Sequence, residues 1–117
     1  MRDRSQKGKY GEALAAAFLE QKGYEVVARN YRFKRSEIDL VVRHNGWLVF
    51  VEVKMRSSTA FGFPEVFVTD QKAAKVLEGA AQYMEETNWR GPVRYDVVAI
   101  TQRGEQTDIR HFEDAFY

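Results

Sequence analysis

Alternating apolar and polar residues flank an Asn-Gly pair at positions 45 and 46. Such a pair between two apolar runs is a strong hairpin signal, because a two-residue type I′ turn needs positive φ at both central positions. The turn also fixes the register: if His44 pairs with Trp47, then Asp39 faces Glu52 on the neighbouring strand. The pattern therefore predicts a hairpin over residues 37–55 with one aliphatic face and one charged face.

Other periodicities predict two helices and further strands around this hairpin. A helix over residues 10–22 ends at Gly23, and a second helix begins at the N-cap residue Thr69 and runs to about residue 87. Their apolar stripes comprise Ala13, Leu14, Ala17 and Phe18 in the first helix, and Ala73, Val76, Leu77, Ala80, Ala81 and Met84 in the second. Further strands are predicted over residues 24–33, 93–101 and 107–112. The order helix, three strands, helix, one or two strands predicts an α/β fold with a mixed central sheet flanked by helices.

Length and composition restrict the protein class. A chain of 117 residues, 44% of them hydrophobic, suits a single domain over residues 1–117. No apolar stretch reaches the roughly 20 residues of a membrane span, and the N-terminus lacks the apolar core of a signal peptide, so we expect a cytoplasmic protein without membrane contact. Residues 56–68 have loop composition with Phe61, Phe63 and Phe67 as apolar anchors, and we expect this loop to fold over another surface.

Charge is unevenly distributed along the chain. Residues 1–56 hold 12 Lys/Arg against 7 Asp/Glu, whereas residues 57–117 hold 6 against 10, although the net charge is only +1. The basic half also contains the paired acids, an asymmetry that suits a polyanionic partner such as nucleic acid. An unevenly charged, solvated surface would give the same count.

The paired acids are the main candidates for chemistry. Like charges on facing strand positions repel, so they require a raised pKa, a nearby cation or a metal ion. Asp39, Glu52 and the backbone carbonyl of Val53 could bind a hard cation, while the ammonium of Lys54 could stabilise an attacking hydroxide or a phosphate charge. Because the chain lacks cysteine, Mg²⁺ or Mn²⁺ is favoured. The alternative is a surface cluster neutralised by Lys54, but the apolar Phe50 shares the charged face and indicates partial burial.

These residues carry a family resemblance. The runs Glu-Ile-Asp-Leu at 37–40 and Val-Phe-Val-Glu-Val-Lys at 49–54 resemble the PD-(D/E)xK nuclease core. More closely, the chain resembles the YraN-like family of small proteins over nearly its whole length, including Gly-Glu at 11–12, Asn-Tyr-Arg at 30–32, Val-Thr at 68–69 and Ala-Gln-Tyr at 81–83. Ser36 stands where that family usually has glycine, and no proline precedes Asp39.

The resemblance implies a restriction-endonuclease-like core, similar to archaeal Holliday-junction resolvases, with metal-dependent nuclease activity. It also implies that Glu12 joins the site from the first helix. Without the resemblance, Glu12 would be an acid in a helix's first turn, stabilised by the helix dipole. Glu37 is expected to orient Lys54, and direct metal ligation by Glu37 is the less favoured alternative. Asp96 either approaches the acids or pairs with a nearby arginine. His44 and His111 are interpreted as structural.

Candidate nucleic-acid contacts follow the basic half and the start of the second helix. They are Arg32, Lys34, Arg35, Arg56, Gln71 and Lys72. The arginines and Lys34 could follow a phosphate backbone, and the start of the second helix could contact a phosphate. For each of them a solvated surface position is the alternative.

Three functional hypotheses follow. The first is a divalent-metal-dependent endonuclease that hydrolyses DNA phosphodiester bonds, in branched or damaged DNA. The second is a module that keeps the nuclease fold and binds nucleic acid or a protein without cutting, and the third is a protein-interaction domain that uses the aromatic segment 112–117. Symmetric cutting of both strands would indicate a homodimer.

Overall fold

The computed structural model describes residues 4–57 and 68–116, which form a mixed five-stranded sheet with one helix on each face. The elements in chain order are α1 (Arg4–Gln21), β1 (Glu25–Phe33), β2 (Ser36–His44), β3 (Trp47–Ser57), α2 (Asp70–Thr87), β4 (Val93–Arg103) and β5 (Gln106–Phe112). This order confirms the predicted α/β arrangement. The predicted loop anchors Phe61, Phe63 and Phe67 lie outside the described residues.

The strands follow the chain order across the sheet, from β1 at one edge to β5 at the other. β3 and β4 are parallel, and every other neighbouring pair is antiparallel. A parallel pair needs a crossover connection, and α2 lies in that connection between β3 and β4.

Two buried clusters lie on opposite faces of the sheet. On the side that we call the α1 face, Ala15, Ala16 and Leu19 pack against residues of the strands that include Leu40, Val49, Val51 and Ile100. On the side that we call the α2 face, Ala73, Val76 and Ala80 pack with residues that include Val41, Leu48, Phe50 and Val97. Along β3 the faces alternate regularly, so even-numbered residues point to the α2 face.

Helix α1 differs from its prediction in length and in orientation. It begins at Arg4, which places Glu12 in the middle of the helix and excludes the first-turn interpretation of that residue. Ala13 and Ala17 of the predicted stripe are exposed, and the buried positions are instead Ala15, Ala16 and Leu19. Residues 13–19 are all apolar, so periodicity alone could not select the buried side.

The hairpin register is confirmed close to its turn. Asn45 and Gly46 have φ values of 51° and 83°, as a type I′ turn requires. The ladder runs from His44–Trp47 to Leu40–Val51 and ends there. The predicted backbone pair Asp39–Glu52 does not form, because the carboxylate of Asp39 instead accepts a hydrogen bond from the backbone N–H of Val53, with 2.8 Å between nitrogen and Oδ2. The predicted pair of Glu37 with Lys54, further from the turn, is likewise outside the ladder.

Strand β2 changes phase near Asp39. Ile38 belongs to the cluster on the α2 face and Leu40 to the cluster on the α1 face, although strict alternation would put both on one side. In β1, Arg29 pairs with Leu40 and Tyr31 with Ile38, on either side of an Asn30 whose φ is 52°. At this phase change, strand alternation no longer assigns the side chain of Asp39 to one face of the sheet.

Neither helix in the described ranges has the length and apolar composition that crossing a membrane would need.

Candidate metal centre

Three carboxylates from two elements meet at the phase change in β2. Glu12 comes from α1, and Glu37 and Asp39 come from β2. One oxygen from each lies within 4.8 Å of an oxygen of the other two. Carboxylate oxygens at such spacing are the ligands that Mg²⁺ and Mn²⁺ prefer.

Close contact between α1 and β3 positions Glu12. Gly11 is buried against Met55, and a Cβ at Gly11 would lie 3.0 Å from the sulfur of Met55. Glycine therefore lets the helix approach the strand at this point. Because Glu12 is the next residue, its carboxylate reaches the first part of β2, where Asp39 lies.

Burial and mutual repulsion raise the pKa values of Glu12 and Asp39. Burial and the charge of Asp39 raise the pKa of Glu12 from its ordinary 4.5 to about 7, although a hydrogen bond with Asn30 opposes the change. Burial also raises the pKa of Asp39, and the hydrogen bond from the Val53 N–H acts in the opposite direction. The carboxyl groups of Glu12 and Asp39 are in direct contact, and a hydrogen bond between two carboxyl groups requires a proton on one of them. A divalent cation would lower the repulsion between the ionised groups.

Glu52 lies beside this group and faces α2. Its side chain is only 15% exposed, and its nearest described cation is Lys72, whose Nζ is 3.7 Å from Oε2. Within the described part of the chain, Oε2 is buried and has no hydrogen-bond partner. Burial and the charge of Asp39 raise the pKa of Glu52 to about 7, while Lys72 and Lys54 oppose the change.

The residues present fit a divalent cation. A buried carboxylate oxygen without a hydrogen bond is costly, and an added cation nearby would lower that cost. Glu12, Glu37 and Asp39 would hold the ion, with Glu52 adjacent. The sequence predicts Asp39, Glu52 and the Val53 carbonyl as ligands. The structure brings Asp39 together with Glu12 and Glu37, and the backbone N–H of Val53 donates to Asp39.

Glu37 was expected to orient Lys54, but its described ion pair is with Arg32, at 3.4 Å between Nη2 and Oε2. From the sequence, metal ligation by Glu37 was only the less favoured alternative. Its membership of the carboxylate group is therefore the main difference at the site. The signal was present, because Glu37 and Asp39 are two positions apart on one strand and so share a side.

The predicted nucleic-acid contacts are dispersed over the surface. Lys34 and Arg35 are exposed in the turn between β1 and β2, and Arg56 is exposed near the end of β3. Gln71 is exposed in the first turn of α2. Lys72 is directed to Glu52 rather than to solvent alone, while its backbone N–H donates to the Thr69 side chain that caps the helix.

Asp96 does not join the acids. Its buried carboxylate accepts two hydrogen bonds from Arg94 at 2.8 Å each and one from the backbone N–H of Asp114 at 2.9 Å. His111 Nε2 lies 2.7 Å from Oδ2. The structure thus agrees with the arginine pairing and with a structural position for His111.

The fold and this site together define a small α/β protein in which a helix and a strand irregularity gather carboxylates beside two lysines. The model of the family described as "Uncharacterised protein family UPF0102" matches residues 11–100. The chain belongs to this family, which confirms the YraN-like resemblance.

Curated relatives support the assignment over almost the full length. A UPF0102 protein of Cytophaga hutchinsonii is 48% identical over 104 residues, which are 89% of this chain and 90% of the relative. One from a Sulfurihydrogenibium species is 44% identical over 97% of this chain and 96% of the relative. One from Flavobacterium psychrophilum is 37% identical over 100% and 98%, respectively.

Proposed function

We propose that this protein is a divalent-metal-dependent endonuclease that hydrolyses phosphodiester bonds in DNA, with branched or damaged DNA as the substrate to test first. The observation that carries the proposal is the group of three carboxylates within 4.8 Å of one another. Beside it is the buried Oε2 of Glu52, which pairs with Lys72 at 3.7 Å but accepts no hydrogen bond from the described residues. The resemblance of the two strand motifs to the PD-(D/E)xK core supports the same conclusion.

Each residue has a role in this proposal. Glu12, Glu37 and Asp39 would hold Mg²⁺ or Mn²⁺, which when bound would polarise a phosphate and acidify a water molecule. Glu52 Oε2 can accept a proton from the attacking water near neutral pH, since the pKa of Glu52 is about 7. Lys54 follows Glu52 by two positions on the same face of β3, where its ammonium can stabilise charge on the phosphate. Lys72 holds Glu52 in place before substrate binds.

The test is a cleavage assay on linear, plasmid, flap and four-way-junction DNA with Mg²⁺ or Mn²⁺. The variants Asp39→Asn, Glu52→Gln and Lys54→Ala should each reduce the cleavage rate by about 100-fold or more, because each removes a ligand, proton acceptor or charge from the site. Glu20→Gln and Lys75→Ala change exposed residues of the two helices and serve as matched controls. Equal cleavage by the site variants and the controls would refute the mechanism.

The same assay addresses the non-cleaving alternative. An unaltered chain that binds DNA in a salt-dependent manner but cuts none of the substrates would support a binding module with the nuclease fold. Paired nicks on both strands of a junction would indicate two copies acting together, which sedimentation in the presence of the junction would detect.

A further inference from the structure

A polar groove lies on the sheet away from the carboxylates. It has a volume of about 450 Å³ and is formed by the distal parts of β4 and β5. Its lining residues are Thr101, Arg103, Gln106, Thr107, Asp108 and Arg110.

The groove opens on the α2 face, the face that carries Glu52 and Lys54. In β4, Val97 belongs to the cluster on this face, so Ala99, Thr101 and Arg103 point to the same side. In β5, Phe112 packs against that cluster opposite Val97, which places Arg110 and Asp108 on this side as well.

Strand register connects the groove to the candidate site. Lys54 pairs with Ala99, and Ala99 pairs with Arg110, so these three positions form one row across the sheet. Two interstrand spacings separate Lys54 from Arg110, about 10 Å between backbones. In the next row Arg56 lies beside Thr101. Lys54 and Arg110 therefore lie on one row of the sheet with Ala99 between them, and Arg56 lies on the neighbouring row with Thr101 and Asp108.

Within residues 4–57 and 68–116, helix α2 lies away from this part of the sheet, and Thr101 at the groove is only 3% exposed. The helix packs over β2 and β1 at the other side of the sheet. Phe116, near the end of the chain, contacts the ring of Tyr95 near the beginning of β4, far from Thr101 and Arg103. Arg103, Gln106 and Arg110 are exposed.

The charges of the groove suit a phosphate backbone. Arg103 and Arg110 outnumber the single acid, Asp108. The Arg110–Asp108 ion pair has 3.5 Å between Nε and Oδ2, and both side chains are about half exposed. An exposed pair of this kind contributes little and can be exchanged for a phosphate. Arginine binds phosphate through two parallel N–H donors, and the exposed Gln106 amide adds a neutral donor of the type that positions a nucleic-acid backbone.

We propose that this groove binds the sugar-phosphate backbone of a single DNA strand and guides it toward Lys54 and Glu52. The proposal rests on the proposed nuclease function for its substrate. It adds a binding surface on β4 and β5 that is separate from the basic turn between β1 and β2.

The test measures binding without cleavage. A fluorescein-labelled single-stranded oligonucleotide is titrated with the full chain in EDTA, at several sodium chloride concentrations, and followed by anisotropy. The double variant Arg103→Ala/Arg110→Ala should bind on the order of tenfold more weakly, and its slope of log K against log salt should fall by about 0.7 per lost phosphate contact. The double variant Lys75→Ala/Arg90→Ala removes the same charge from exposed positions elsewhere and should keep the affinity and slope of the unaltered chain.

Equal affinity and equal slope for the two double variants would contradict the proposal that this groove binds DNA. So would an unaltered chain that does not bind the single-stranded oligonucleotide. The two proposals fail separately. If cleavage depends on Asp39 but binding does not depend on Arg103 and Arg110, only the groove proposal is refuted. If binding depends on these arginines but no metal-dependent cleavage occurs, only the nuclease proposal is refuted.

Discussion

Asp96 illustrates how this chain stabilises a buried charge. Its carboxylate is fully buried, which alone would raise its pKa, but hydrogen bonds from His111, Arg94 and the Asp114 backbone outweigh burial and lower the pKa from its ordinary 3.8. Arg94 also donates to the hydroxyl of Tyr24 at 2.8 Å. One carboxylate thereby connects β4 with the end of β5 and with the residue that precedes β1.

Asp96→Asn should destabilise the protein by about 3 kcal/mol, because it leaves the Arg94 guanidinium with an incomplete, uncharged partner in a largely buried position. Urea unfolding followed by circular dichroism would measure the loss. Asp108→Asn is the matched control, since Asp108 pairs with Arg110 at the surface and should change the unfolding free energy by less than about 0.5 kcal/mol. Similar losses for both variants would contradict this account.

The pH dependence of that difference has a defined sign. Since the pKa of Asp96 is lower in the folded protein, its contribution is complete above about 3.8 and is lost as the pH falls below that value. The stability difference between the unaltered chain and Asp96→Asn should therefore shrink on acidification. A difference that grew toward low pH would contradict the direction of the shift.

Among the elements, α2 and β2 make the closest helix–strand contact outside the site. A Cβ at Gly79 would lie 3.3 Å from the Cβ of Ser36 and 3.4 Å from the Cδ1 of Ile38. Ser36 itself is only 2% exposed. It occupies the position where the resemblance leads one to expect glycine, so the larger residue here is accommodated by glycine on the facing helix.

Gly79→Ala should destabilise the unaltered chain by about 1 kcal/mol, because crowding against Ser36 exceeds the gain of about 1 kcal/mol in helix propensity. In a Ser36→Gly background the same change should be neutral or stabilising. A double-mutant cycle on unfolding free energies measures the coupling, expected at about 1–2 kcal/mol. Additive effects would show that the two residues do not limit the approach of α2 to the sheet.

The elements themselves were largely predictable, with two instructive exceptions. Asn45 and Gly46 specify their turn by local conformation, and the stripe of α2 identified Ala73, Val76 and Ala80 as buried because polar residues separate them. The uniformly apolar run in α1 carries no such contrast. The end of the β2–β3 ladder was also unpredictable from alternation, since there a side-chain carboxylate replaces a backbone acceptor.

At the scale of the whole molecule, the raised pKa values of the carboxylates make the unfolding free energy depend on pH. The pKa values of Glu12 and Glu52 are both raised to about 7, so the folded chain holds protons that the unfolded chain, with an ordinary value of 4.5, has released. The stabilisation associated with these protons is complete below about 4.5 and is lost as the pH rises through about 7. A metal ion bound at the site would act in the opposite direction.

We therefore expect Mn²⁺ to raise the unfolding free energy more at pH 8 than at pH 5. The stabilisation by Mn²⁺ reaches about 2.7 kcal/mol when the free ion is at 100 times its Kd. Thermal unfolding at both pH values, with and without Mn²⁺, measures the effect. Asp39→Asn should lose most of it, whereas Glu20→Gln should retain it. An Mn²⁺ effect that is equal at both pH values, or unaffected by Asp39→Asn, would contradict a metal site at these acids.

The composition of the site was partly predictable on this scale. The strand motifs identified Asp39, Glu52 and Lys54 as neighbours because their spacing is local. The meeting of Glu12 with Glu37 depends on how closely α1 approaches the sheet, which the contact between Gly11 and Met55 sets. Residues 44 positions apart, such as Gly11 and Met55, leave no periodic signal in one sequence.

The hydrogen bond between Asp39 and the Val53 N–H has a practical consequence for anyone who alters this site. One oxygen of the carboxylate already accepts a backbone hydrogen bond of the sheet, so Asp39 stabilises the fold in addition to any chemical role. Asparagine can accept the same hydrogen bond through its amide oxygen while it removes the charge. Alanine would remove both the hydrogen bond and the charge. An inactive Asp39→Ala protein would therefore be uninformative, and only the isosteric variant separates a lost ligand from a loosened strand.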